Sequence, residues 1–256
     1  MEAIIVNPEL PNERNNHRED DSTPNIESEA VIREDDLVIT FKGVSADIRP
    51  DGSVDIVIET NRGDTPAILH PCEGQEGVVI FLGGGSTLKG PAGGIYERLS
   101  NSLIDRGITS MRVGLRKPDI FIECVGDALA AISFLKGIGA ARIAVVGHSS
   151  NGAVAIKSSS FSELVNCVVS LSGQTFGAQD VAEISPRDLL VVHGKNDQVL
   201  PASDAQRIYD WALEPKEILL YDGADHGLNE VKDQLFEKLT DWLIERVGPR
   251  ENTLDA

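Results

Sequence analysis

Apolar and polar positions change rhythm several times along these 256 residues. Residues 1–30 are polar and acidic, with almost no apolar periodicity after Val6, which is the composition of a mobile tail. From Leu37 a regular order begins. LVITFKGVSADIR and VDIVIET flank the turn dipeptide Asp51-Gly52 and read as an antiparallel hairpin, and TPAILHP adds a short extended piece. GVVIFLGGG is a continuous apolar run ending in glycines, as expected of a strand buried on both faces. Residues 92–106 place Ile95, Leu99, Leu103 and Ile104 at helical spacing and close on Gly107. The alternation then repeats. ITSMRVGL is a strand, and 119–136 a helix with Asp119 as its N-cap. ARIAVVG is a strand, and NGAVAIKSSS a short helix. VNCVVSLSG is a strand, and 176–184 a short helix. RDLLVVHG is a strand, and 202–213 a helix. KEILLYDG is the last strand, and 230–247 the last helix.

Strands alternating with helices imply a mostly parallel sheet with helices on both faces and right-handed crossovers. The expected fold class is α/β. It has eight strands, an antiparallel N-terminal hairpin, and a single domain over residues 31–250. The segment after Ser172 is too short for a large cap domain. Composition narrows the partners. Formal charge is −18, a field that repels nucleic acid and anionic membranes, so neither is expected as a partner. No run approaches a membrane span, and the N-terminus lacks a basic segment followed by an apolar one. Cys72, Cys124 and Cys167 stand apart, as reduced thiols in a cytoplasmic protein would. His17 and His70 have no companions at metal-ligand spacing, so no metal and no cofactor is expected.

The unusual polar clusters all fall just past the carboxyl ends of strands, where reactive groups collect in such sheets. They are Gly83-Gly84-Gly85-Ser86, Gly147-His148-Ser149-Ser150, His193-Gly194-Lys195-Asn196-Asp197, and Gly223-Ala224-Asp225-His226-Gly227. GGGSTLKG lacks the spacing of a phosphate-binding loop. In VVGHSSNGAV the strand-to-helix elbow G-x-S-x-G is imperfect. Ser149 has Gly147 two before it but Asn151 two after; Ser150 has Gly152 two after but His148 two before. Ser149 keeps the register better, because the strand ends at Gly147.

On these residues, from about 37 to 247, the chain resembles the α/β-hydrolase family, and within it the small lidless esterases of dienelactone-hydrolase or prolyl-oligopeptidase type. The resemblance implies the α/β-hydrolase fold and the chain order Ser, Asp, His, here Ser149, Asp197 and His226. Ser149 would attack a carbonyl carbon. His226 would take its proton, an imidazole in water titrating near about 6.5. Asp197 would fix the ring's tautomer, with Asp225 a weaker candidate for that place. The oxyanion would be met by the N–H of Ser150 and that of Gly84, or of Gly85. His148 and His193 read as supporting residues. Substrate walls would come from Gly85, Leu88, Tyr96, Leu115, Phe176 and Leu200. Arg112, Arg116 and Lys117 could attract an anion but read better as surface charge. The expected activity is hydrolysis of small carboxylic esters or thioesters. The alternatives are a weak or inactive member that binds a small molecule, and an acyltransferase. The oligomeric state, monomer or homodimer, is open.

Overall fold

Antiparallel pairing builds one edge of the sheet in a computed structural model that describes residues 37–73, 76–83 and 88–250. The acidic segment 1–30 lies outside the described residues. Strands β1 (Phe41–Ile48) and β2 (Val54–Thr60) form the hairpin. Its turn is set by Asp51, whose carboxylate accepts the N–H and hydroxyl of Ser53 at 3.0 and 2.6 Å. The extended piece at TPAILHP is a full strand, β3 (Gly63–His70), antiparallel to β2 and to β5 (Thr109–Gly114). The sheet therefore has nine strands rather than eight. From β5 onward all neighbours are parallel: β5, β4 (Gly77–Gly83), β6 (Arg142–His148), β7 (Val165–Leu171), β8 (Asp188–Gly194) and β9 (Lys216–Tyr221).

Both faces of this parallel half are covered, which is why its strands read as unbroken apolar runs. Val79 and Phe81 of β4 and Val146 of β6 pack under α1 (Pro91–Ile104) and α5 (Lys232–Val247). Ile80 and Leu82 of β4 and Val145 of β6 pack on the other layer, with α2 (Phe121–Gly137), α3 (Ser150–Ser160) and α4 (Ala202–Trp211). This is the α/β-hydrolase architecture, and no cap domain is present among the described residues.

Three local expectations are corrected. Asp119 does not cap α2: Ile120 does, and its carbonyl takes the N–H groups of Glu123 and Cys124. Segment 176–184 tightens to a 3-10 turn at Gln179–Ile184. The start of α1 is not helical, because Ala92, Gly93 and Gly94 all have positive φ. No helix among the described residues is long and apolar enough to cross a membrane. The same residues hold no cluster of three or more potential metal ligands.

Candidate active site

Chain direction across the sheet reverses at β4. From there the chain crosses by α1 to β5 on one side, then returns by α2 to β6 on the other. The helices leave toward opposite faces at such a point, and a crevice opens past the carboxyl ends of the two strands. Leu82 pairs with Gly147, so those ends lie level. Between them is a cavity of about 540 Å³ whose lining includes Leu82, Gly83, Tyr96, His148, Ser149 and Asn151.

Ser149 caps α3 with φ 59° and ψ −128°. A side chain at such a φ costs of order 1–3 kcal/mol and persists only where the surroundings dictate it. Here they do: the Ser149 N–H donates to Leu171 O at 2.9 Å, and its carbonyl accepts the Gly152 N–H at 3.0 Å. A Cβ on Gly147 would stand 1.9 Å from the Asn151 carbonyl oxygen, and one on Gly152 2.5 Å from Ser170 Oγ. Position 147 needs glycine because the clash is with backbone, while position 152 is crowded by the Ser170 hydroxyl. Position 151 does not need it: the Asn151 side chain is buried, and its Nδ2 donates to the Leu82 carbonyl at 3.3 Å, tying the elbow to β4.

His226 lies on the turn after β9, and its Nδ1 is 2.7 Å from Asp197 Oδ2. Asp225 is turned away, its Oδ1 accepting the Gly227 N–H at 2.8 Å. Asp197, on the turn after β8, accepts the N–H groups of Val199 and Leu200 on Oδ1 at 2.8 and 2.9 Å. A second ring reaches its other oxygen: His193 Nε2 is 3.1 Å from Oδ2 and 3.1 Å from the Leu200 carbonyl. Both oxygens accept, so that nitrogen carries the proton, and the buried Nδ1 of His193 is left without a partner. Burial pushes the Asp197 carboxyl up. The Leu200 N–H, the His226 ring and the Val199 N–H outweigh it and hold the carboxyl below its ordinary value.

The His226 turn is pinned at three points. The His226 carbonyl accepts from His148 Nε2 at 2.8 Å, the Gly227 carbonyl from the Ala92 N–H at 2.8 Å, and Asn229 Oδ1 from the Gly93 N–H at 3.1 Å. The left-handed start of α1 presents those last two donors. The His148 and His226 rings lie 4.8 Å apart, and burial keeps the His148 imidazole below its usual value, hence neutral. No hydrogen bond joins the Ser149 hydroxyl to the His226 ring in this structure.

Residues 94–241 match the model of the dienelactone hydrolase family. That stretch is more than half of the chain. The chain belongs to the dienelactone hydrolase family.

Solved structures similar to this dienelactone hydrolase family member share its fold. The dienelactone hydrolase from Anabaena variabilis superposes with a TM-score of 0.65 at 15% identity, over 80% of this chain and 99% of that one. Est1E from Butyrivibrio proteoclasticus gives 0.63 at 13% identity, over 80% and 99%. An alpha-beta serine hydrolase homologue from Coxiella burnetii gives 0.62 at 19%, over 74% and 96%. Among curated sequences, the uncharacterized protein YfhR of Escherichia coli O157:H7 is 32% identical over 133 residues, 46% of this chain and 47% of that protein. The chain spans less than half the length of the curated relatives it matches.

Within this family member the expected site residues divide. Ser149, Ser150 and Tyr96 line the cavity, and Tyr96 stacks on Phe81 at 4.9 Å with its hydroxyl buried and unpartnered. Leu115 belongs to the core, and Phe176 is exposed, edge-on to Phe121 at 6.0 Å; neither lines the cavity, nor do Leu88 and Leu200. Gly84 and Gly85 lie outside the described residues. Arg112 is buried rather than surface charge, with Nη2 at 3.1 Å from His70 Nε2. Arg116 is also largely enclosed, between Asp127 and Glu123. The sequence signalled none of the Asn151–Leu82 bond, the His193–Asp197 contact or the α1 donors. The Ala92-Gly93-Gly94 run was the available sign of the last.

Proposed function

We propose that this chain is a serine hydrolase of small carboxylic esters or thioesters, with Ser149 as nucleophile, His226 as general base and Asp197 as the orienting acid. The observation that carries the reading is the 2.7 Å hydrogen bond of His226 Nδ1 to a carboxylate that also takes two backbone N–H groups, with the His226 ring 4.8 Å from that of His148, which lines the same cavity as Ser149 at φ 59°. With Nδ1 occupied by Asp197, the free Nε2 of His226 is the acceptor for the serine proton. Ser149 Oγ adds to the carbonyl carbon as its proton passes to Nε2. The tetrahedral adduct then collapses, and the alcohol or thiol leaves with that proton. Water adds to the acyl-enzyme in the same way, giving the acid and restoring the serine. The Ser150 N–H at the start of α3 supplies one oxyanion donor, and the Gly84 N–H the other.

The names of the fold neighbours support hydrolase chemistry, the Anabaena variabilis dienelactone hydrolase and the Coxiella burnetii serine hydrolase homologue among them. One observation favours a second reading, binding without turnover: Asn151 occupies the elbow position where the motif has glycine, and its side chain reaches across to β4. A fluorophosphonate probe separates the two. Stoichiometric labelling at Ser149, lost in Ser149→Ala and in His226→Ala, is expected. A folded protein that takes no label supports the binding role.

A further inference from the structure

We infer that the cavity selects by charge: it takes uncharged esters, favours a hydroxyl on the substrate, and turns away carboxylate-bearing ones. The inference rests on the hydrolase reading above and names the substrate class of the same site. Every described side chain that lines the cavity is uncharged. Arg112 on β5, the buried cation on the α1 side of the sheet, is committed elsewhere. Its Nη2 meets His70, its Nη1 lies 3.4 Å from the Leu88 carbonyl, and Glu97 is 3.7 Å away. Lys89 and Lys232, near the start of α1, are exposed, and Lys89 faces Glu97 at 3.2 Å. Lys117, beside the lining Pro118, lies 3.8 Å from Glu123, and no charged side chain is among the described residues that line the cavity.

Two lining residues offer lone pairs instead. His148 Nε2 is spent on a carbonyl, which only accepts, so Nε2 carries the proton and Nδ1 is an acceptor. Asn151 Nδ2 is likewise spent on the Leu82 carbonyl, leaving Oδ1 as an acceptor. Neither acceptor has a protein partner among the described residues. A hydroxyl placed beside them gains a hydrogen bond, whereas a carboxylate meets oxygen and nitrogen lone pairs after losing its water. The charge of −18 adds a long-range term of the same sign, slowing the approach of anions.

Propyl, 2-hydroxyethyl and carboxymethyl butyrate share an acyl group and differ in the alcohol. Their kcat/KM values are measured by acid release at pH 7.5, in low and high salt, each divided by its rate with hydroxide. The carboxymethyl ester is expected at least about tenfold below the propyl ester, with the gap narrowing as salt rises. The 2-hydroxyethyl ester is expected above the propyl ester. A carboxymethyl ester cleaved as well as the propyl ester overturns charge selection, and no preference between the other two overturns the role of the acceptors. Failure to cleave any of the three removes the hydrolase reading, and the inference with it.

Discussion

Asp197 is a carboxylate met on both oxygens: two backbone N–H groups on one, the His226 ring on the other, with His193 Nε2 3.1 Å from that second oxygen. This arrangement separates its structural duty from its electrostatic one. In Asp197→Asn the Oδ1 can still take the Val199 and Leu200 N–H groups, so the turn after β8 is expected to keep its shape. The amide NH2 then faces the ring N–H of His226, and His226 is driven to the tautomer that carries its proton on Nε2. That ring cannot accept from Ser149. The expected result is a fall of about 10⁴ in kcat with the far-ultraviolet dichroism unchanged. A variant within tenfold of the parent would show that Asp197 does not orient the base. Ser149, Asp197 and His226, to which the proposed roles belong, were legible as residue types past strand ends. Their mutual contacts were not. The His193–Asp197 approach spans four positions along a turn whose path the sequence leaves open, and Asn151 looked like a defect in a motif until its amide was seen to meet a carbonyl of another strand.

At the scale of elements, the parallel strands were the most legible part, because burial on both faces leaves a run with no polar interruption. Strand β3 was less so: Pro66 and Asp64 face outward and break the apolar run, and the strand is fixed by pairing with two neighbours rather than by its own pattern. Its last residue carries a consequence for pH. His70 is buried, and its Nε2 lies 3.1 Å from Arg112 Nη2 on β5, so that nitrogen must accept. Burial first, then the Arg112 charge, hold the His70 imidazole below its ordinary value. The folded chain therefore binds fewer protons here than the unfolded chain as pH falls below about 6.5, and stability present at neutral pH is lost across that window. His70→Gln can keep an acceptor for Arg112 but has nothing to titrate. Urea midpoints at pH 7.5 and 5.5 are expected to fall more on acidification in the parent than in His70→Gln. Equal changes in the two proteins would show that the pair does not couple protonation to folding.

For the molecule as a whole, two electrostatic effects of salt oppose one another. Screening weakens ion pairs, and it also relieves repulsion among like charges. The pairs most open to salt, such as Arg49–Asp55, Lys89–Glu97 and Lys195–Asp222, are solvated contacts worth about 0–1 kcal/mol each. The enclosed pairs, Arg116 with Glu123 and with Asp127, are sheltered from ions by burial and change little. Against these small losses stands the chain's net charge of −18, of which −8 falls within residues 37–250, where repulsion is greatest in the compact state. Relief of repulsion is the larger effect, so raising sodium chloride from 0.05 to 0.5 M, about a threefold fall in screening length, is expected to raise the thermal midpoint at pH 7.5. The same change at pH 4.5, where carboxylates begin to take protons and the net charge shrinks, is expected to raise it less. A midpoint that falls with salt at pH 7.5 would mean that the surface pairs, not the excess charge, dominate the electrostatics of this fold.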